Sequence, residues 1–273
     1  MSVKNTSFLP APELQGFIAS YVIQQVPDGV NEPFFSPPLA MSGFIITVTN
    51  STGILNAKID NRDFITDNAV ATGQVSAPIY GELVGEVKAI LVFFKPTGMH
   101  RLFGNDLSEL TNTSQSLSEF LGHVEADVLW NDLTEQSDNQ KQIDILDNFF
   151  KNRIPTEKQE DKFEKVLDFI HEKNGRVSIA DIEQYATYPR KTLERHFKRM
   201  VGLSPKVYAQ IYRFKCLINF LYANSGITWM QLANENGYYD QSHMSRYVKE
   251  YLKIPPNSLV KLDMDFINYL LNR

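Results

Sequence analysis

The stretch LERHFKRMVGLSP, Leu193–Pro205, gathers Arg195, His196, Lys198 and Arg199 and then stops at Gly-Leu-Ser-Pro. A second stretch, MSRYVKEYLKIPP at Met244–Pro256, repeats its layout. Leu193 corresponds to Met244, Arg195 to Arg246, Lys198 to Lys249, Val201 to Leu252, Leu203 to Ile254 and Pro205 to Pro256, all at one spacing of 51 residues. Six matches in register point to a duplicated element and not to a chance basic run.

The duplication extends upstream. Ser178, with Asp181 three positions on, reads as a helix N-cap with a first-turn acid. Thr228 with Gln231 reads as a capping box. Ile182 and Leu232 occupy the same place in the two units. Each unit is therefore a short capped helix, a turn and a second helix. Gly237 can supply a positive φ in the second turn, where the first has Thr187 and no glycine. Two helices joined by a tight turn, the second rich in Arg and Lys, describe a helix-turn-helix. Between the units, PKVYAQIYRFKCLINFLYANSG reads as one connecting helix from Pro205 to Tyr222, opened by Ser204-Pro205 and closed near Asn224-Ser225-Gly226. Such a rod, at roughly 1.5 Å per residue, approaches the ~34 Å between successive major grooves on one face of DNA.

Charge agrees with that reading only when it is resolved along the chain. The net charge of −5 over 273 residues argues against a polyanion partner. From Arg176 to Pro256, however, twelve Lys and Arg face six Asp and Glu, a net of +6, so the remainder carries −11. Such asymmetry suggests a polyanion-binding module joined to an acidic partner domain. The length suits about two domains. A single cysteine, Cys216, excludes an internal disulfide and a Cys-based zinc site and fits a reducing compartment. No signal peptide is read at the N-terminus, and the longest apolar run, near Ala89–Phe94, is too short to span a bilayer. A cytoplasmic protein without a membrane partner is expected.

Up to about Phe103 the segments SGFIITVTN, GILNAKI, AVATGQV and YGELVGEVKAILVFF are short, rich in Val, Ile, Phe and Thr, and punctuated by Gly, Pro, Asn and Asp. They predict an antiparallel β barrel or sandwich. From Leu107 the pattern turns helical through 152. IPTEKQED, Ile154–Asp161, reads as a linker. Beyond it Phe163, Val166, Leu167 and Ile170 form one apolar helix stripe that Asn174-Gly175 ends. The fold class expected is α+β: a β-rich part with helices over 1–153, a linker over 154–161, an all-α domain over 162–260 and a helical tail over 261–273.

LERHFKRMVGLSP, the arginine-containing helix YAQIYRFKCLINFL and above all LANENGYYDQSHMSRYVKEYLKIPP resemble the DNA-binding domain of the AraC/XylS family of transcription regulators. The resemblance implies two helix-turn-helix units on a long helix, with double-stranded DNA as partner. Three positions depart from the family pattern: Pro189 replaces a Ser N-cap, Val248 a core Phe and Lys253 a common Gly. More weakly, VFFKPTGMHRLFGNDLSELTNTSQSLSEFLG resembles the end of the cupin-like sensor domain in one branch of that family, where Phe-x-Pro-x-Gly leads into a helix. The resemblance implies a small effector of unknown identity or a homodimer, and leaves RNA polymerase as a further partner.

The first recognition helix should run from Arg190 to Met200, with Leu193, Phe197 and Met200 inward. Arg190, Lys191, Glu194 and Arg195 then face outward as candidates for reading bases, since Arg pairs with guanine O6 and N7 and Glu accepts from cytosine N4. Gln241, Ser242, His243 and Arg246 occupy the same region of the second unit, with Asp240 as its cap. Lys198, Arg199 and Lys249 suit phosphate. The plain alternative for each cation is a solvated helix face; Arg195 and Arg246 stand above it because they match between units. Met244, Trp229 and Cys216 are read as core.

The five histidines, His100, His123, His171, His196 and His243, are scattered, and no metal-binding His pair, nucleophile elbow or phosphate loop is present. No enzyme, cofactor or metal is expected, and cofactor-binding residues are unknown. A second class of function is a small-molecule-binding module whose basic C-terminal half meets a protein partner; DNA affinity insensitive to salt would favour it. A third, turnover by the N-terminal barrel, needs activity from residues 1–153. Leu117, Phe120, Leu121, Val124, Val128 and Leu129 serve either a dimer interface or packing on the barrel.

Overall fold

The computed structural model describes residues 3–27, 31–48, 54–64, 67–156, 162–224 and 226–252. Ten strands come first: β1 (Lys4–Phe8), β2 (Ile18–Val26), β3 (Asn31–Ser36), β4 (Ser42–Thr47), β5 (Ile54–Ile59), β6 (Arg62–Asp63), β7 (Ala69–Thr72), β8 (Ile79–Val84), β9 (Val87–Phe94) and, after a helix, β10 (Ser114–Ser116). They form two antiparallel sheets, ordered β1-β2-β9-β4-β7-β10 and β3-β8-β5-β6. Of barrel and sandwich, the sandwich is observed. YGELVGEVKAILVFF splits into β8 and β9 around Gly85, and the strand β2, IASYVIQQV, joins the set that the sequence had shown.

Alternation on β9 assigns its two faces. Ile90, Val92 and Phe94 face the helices α1 (Gly98–Phe103), α2 (Leu117–Leu121), α3 (His123–Thr134) and α4 (Asn139–Lys151), sharing a core with Met99, Leu117, Leu129, Leu146 and Phe150. Leu91 and Phe93 face the space between the sheets. The N-terminal part thus has three layers, helices on a six-stranded sheet on a four-stranded sheet. Asp147 on α4 fastens the helical layer to the six-stranded sheet: it accepts from the backbone N–H of Ala11 at 3.1 Å and from the Tyr21 hydroxyl of β2 at 2.9 Å. Burial, and then the adjoining carboxylate, push the Tyr21 hydroxyl far above its ordinary pKa. The Phe94-x-Pro96-x-Gly98 turn does lead into α1.

Among the described residues six helices follow: α5 (Lys162–Glu172), α6 (Ile179–Ala186), α7 (Arg190–Val201), α8 (Pro205–Ala223), α9 (Trp229–Glu235) and α10 (Gln241–Leu252). The stripe Phe163, Val166, Leu167 and Ile170 is fully buried, and Asn174 and Gly175 end α5 with φ of 51° and 69°. The linker is described only to residue 156, and the tail over 261–273, with Lys253, Ile254 and Pro256, lies outside the described residues. Among the described residues no helix is long and apolar enough to cross a membrane.

The two halves share a core. Leu39 and Ala40, on the turn between β3 and β4, are buried in the same cluster as Phe163, Tyr208 and Leu217. Polar contacts flank this seam. Glu164 on α5 accepts from the Thr97 hydroxyl and lies 3.5 Å from the Arg101 guanidinium, and the Thr111 hydroxyl donates to the carbonyl of Gly202 at the end of α7.

Candidate nucleic-acid interface

Both units are built by the local chemistry that their sequences specify. At the start of α6 the Asp181 backbone N–H donates to Ser178 Oγ at 3.2 Å and the Ser178 N–H donates to Asp181 Oδ2 at 2.8 Å. The Ser178 hydroxyl and N–H hold the Asp181 carboxyl below the usual carboxylate range. At α9 Gln231 N–H donates to Thr228 Oγ1 at 3.3 Å and Thr228 N–H to Gln231 Oε1 at 3.0 Å. Both are complete capping boxes, each satisfying two backbone donors that a helix start leaves without partners.

The turns also agree in backbone. Thr187 has φ of 55° and Gly237 φ of 68°. Glycine enters this left-handed region freely, while a β-branched residue is strained there. The two second helices start differently: Pro189 gives α7 no side-chain cap, whereas Asp240 Oδ1 accepts from the His243 N–H at 2.6 Å.

Each second helix buries one stripe. On α7 it is Leu193, Phe197 and Val201, with Met200 half-buried, so Val201 takes the inward place expected of Met200. That outcome follows from the spacing, since 193, 197 and 201 keep a four-residue step. On α10 Met244, Tyr247 and Val248 are buried, and Val248 is fully enclosed where a larger Phe was expected from the resemblance. Trp229 packs partly buried against this core.

The opposite faces are exposed and basic. Lys191, Arg195, Lys198 and Arg199 are exposed along α7, and Gln241, Ser242, His243, Arg246 and Lys249 along α10. Arg190 is exposed but engaged, its Nε 3.1 Å from Glu194 Oε1 and 3.7 Å from Glu183 Oε1. Glu194 is thereby held beside a cation on its own helix. His196 is stacked at 5.4 Å on Tyr188, a packing role.

Two residues here were not singled out in the sequence. Arg213, at the middle of α8, donates from Nη2 to the carbonyl of Gly237 at 2.8 Å and of Asn236 at 3.2 Å, with its guanidinium 4.0 Å from the centre of the Tyr238 ring. It pins the second turn to the rod. Its sequence signal was confined to the resemblance of the arginine-containing helix YAQIYRFKCLINFL, which named no role for it. Tyr239, beside the α10 cap, is 91% exposed, and a large aromatic so placed at a helix start is suited to a phosphate or sugar contact.

The rod itself runs from Pro205 to Ala223, capped by Ser204, whose Oγ accepts from the Val207 N–H at 3.3 Å. Its 19 residues span about 28 Å. The face of α8 toward α5 holds a buried polar pair: His171 Nε2 and the Tyr208 hydroxyl lie 2.7 Å apart, and Tyr212 stacks on the imidazole at 4.2 Å. Burial, above all, brings the His171 pKa down to about 4; Asp168 opposes and Lys215 and Lys95 reinforce that shift. Cys216 is half-buried, 3.7 Å from Asn174 Oδ1, and burial pushes its thiol up.

Comparison with known proteins follows the same division. Residues 182–261 match the model of a helix-turn-helix domain, and residues 6–116 match a domain of unknown function, DUF6597. Among solved structures, ToxT from Vibrio cholerae is similar at 13% identity and a TM-score of 0.47, over 96% of this chain and 100% of that one. ToxT from the same organism with a bound unsaturated fatty acid gives 13% and 0.46, over 94% and 98%. The AraC-like transcriptional activator CuxR gives 17% and 0.36, over 80% and 81%. No curated protein matches the chain.

Proposed function

We infer the function of this chain, whose C-terminal domain is a helix-turn-helix domain of the AraC type, to be sequence-specific binding of double-stranded DNA in the control of transcription. The observation that carries this reading is the pair of matched units on one rod, each with an exposed basic stripe backed by a fully buried apolar one. Arg195 and Arg246 at matched positions are proposed to read bases, together with Lys191, Gln241, Ser242 and His243. Arg190 and Glu194, which satisfy each other in the free protein, join them on exchanging partners. Lys198, Arg199 and Lys249 are proposed to meet phosphate. The rod length supports insertion of α7 and α10 into adjacent major grooves.

Control is proposed to come from the N-terminal part, divided from the DNA-binding domain at 154–161. Support lies in the seam. Leu39 lines the space between the sheets and also belongs to the core of the C-terminal domain, so a molecule between the sheets would press on that core. A second copy of the chain is proposed to dock on α3, where Val124 and Val128, one turn apart, are 80% and 55% exposed. RNA polymerase is the partner that control of transcription implies, and the cytoplasm the compartment.

Selection of bound fragments from a random DNA pool by the full chain tests the reading. A motif with two halves about 10 base pairs apart should be enriched, and affinity should fall steeply between about 50 and about 200 mM salt through counterion release. Recovery without enrichment, or affinity flat with salt, would remove the proposal in favour of a protein partner for the basic face.

A further inference from the structure

The space between the two sheets holds a cavity of about 110 Å³. An apolar cavity of roughly 150 Å³ stays dry and takes up a benzene-sized molecule, so this one suits a body of similar size. Most of its wall is apolar, with Ile45, Phe64, Leu91 and Phe93 among the contributors. Among the described residues the wall contains no Lys, Arg, His, Asp or Glu. What it does contain is neutral hydrogen-bonding capacity. Thr72 is committed, donating to the Gly43 carbonyl at 3.1 Å. The Gln24 side-chain amide, buried on β2, lines the wall, and beside it the hydroxyl of Ser42 is buried without a partner among the described residues.

We propose that this cavity binds a small uncharged molecule with an apolar ring or branched body and one hydrogen-bonding group directed at Gln24, and that it rejects carboxylates and other anions. The proposal rests on the reading that the N-terminal part receives an effector, and it names the class of that effector. The physics is a difference of costs. An apolar body gains by leaving water, and a hydroxyl or carbonyl can pair with the Gln24 amide on the wall and relieve the unpartnered Ser42 hydroxyl beside it. A carboxylate would lose its hydration with no cation to replace it, which is among the most expensive transfers a protein interior can be asked to accept. Charge in this molecule lies elsewhere: Lys95, Lys215, Glu164, Asp168 and His171 line a separate cleft at the seam between the halves. An anion attracted to the protein has that cleft as the better destination, so the test must separate the two places.

Benzyl alcohol, toluene and benzoate form a matched set of probes for calorimetric titration into the full chain. Benzyl alcohol should bind and benzoate should bind at least 100-fold more weakly. Leu91→Trp, which fills the cavity, should abolish benzyl alcohol binding. Gln24→Leu, which keeps the wall apolar, should weaken benzyl alcohol about tenfold and leave toluene unchanged, so the class remains testable if the tryptophan variant does not fold. Equal binding of benzoate and benzyl alcohol, with benzoate lost in Leu91→Trp, overturns the ligand class and leaves effector control standing. No binding of benzyl alcohol or toluene overturns the site. Binding of benzyl alcohol with no change in the affinity for selected DNA supports the ligand class and sinks effector control.

Discussion

Arg213 reaches from the middle of α8 to the backbone of Gly237, its guanidinium donating to that carbonyl at 2.8 Å while lying 4.0 Å from the Tyr238 ring centre. One side chain thereby ties the second helix-turn-helix unit to the rod. A lysine has a charge to offer but neither the planar fork nor the stacking face. Arg213→Lys should cost about 2 kcal/mol of stability, near the worth of a hydrogen bond to a charged group. It should also speed hydrogen exchange in α9 and α10 before α6 and α7. Equal exchange in both units would show that Arg213 does not orient the second.

The left-handed turn residues offer a paired experiment. Thr187→Gly removes strain worth about 1 kcal/mol or more from the first turn, less the extra freedom glycine gives the unfolded chain; a small gain in thermal stability is expected. Gly237→Thr imposes that strain on the second turn and brings a Cβ within 3.0 Å of Arg176 Cδ, so a loss of about 1–2 kcal/mol is expected. Urea unfolding of the two variants beside the parent measures both.

On DNA, Arg246→Ala should weaken binding to the selected sequence by about 1–3 kcal/mol and relax the preference at one base pair. Lys249→Ala should weaken all sequences alike and lower the salt slope by about 1. Gel-shift titrations at several salt concentrations separate the two; an unchanged affinity for Arg246→Ala removes that residue from the reading set.

His171 predicts a pH effect of definite sign. Its folded pKa, about 4, lies below the ordinary histidine value of 6.5, so the unfolded chain binds the proton more readily between those values. Stability from this group is complete above about pH 6.5 and is lost as pH falls toward 4. His171→Gln, which keeps a partner for the Tyr208 hydroxyl, should flatten the stability curve across that window. A parallel curve for parent and variant would place the acid sensitivity in other groups.

Gly202 is the point where the end of α7 meets the segment Leu107–Thr111 of the N-terminal part. With φ of 91°, an added Cβ would lie 2.9 Å from the Leu107 carbonyl and 3.2 Å from the Thr111 hydroxyl. Gly202→Ala should loosen α7 from the segment around Leu107, seen as faster hydrogen exchange there, with a stability loss of about 1 kcal/mol or more.

The C-terminal domain was legible in the sequence because its determinants are local. Capping boxes act over three residues, buried stripes repeat at helical steps, and a duplicated unit states each rule twice. Thr187 and Gly237 could be equated before either φ was known. The N-terminal part was legible as an antiparallel barrel or sandwich followed by helices, but not in its strand order, since pairing between β2 and β9, or β4 and β7, joins segments far apart and leaves no trace in either alone. The short strand Ser114–Ser116 lay inside a stretch read as helical because its partner β7, not its own composition, makes it a strand. The role of Arg213 was not legible for the same reason: its partners stand 23 and 24 residues away. The cavity arises from two sheets together and has no sequence signature.

The placement of Leu39 and Ala40 inside the C-terminal core makes the linker a boundary of the chain and not of cooperativity. A fragment cut there would expose apolar surface that Phe163 and Tyr208 now share with the turn between β3 and β4. The intact protein should therefore melt as one unit, and the isolated DNA-binding fragment should be less stable and stickier than the whole.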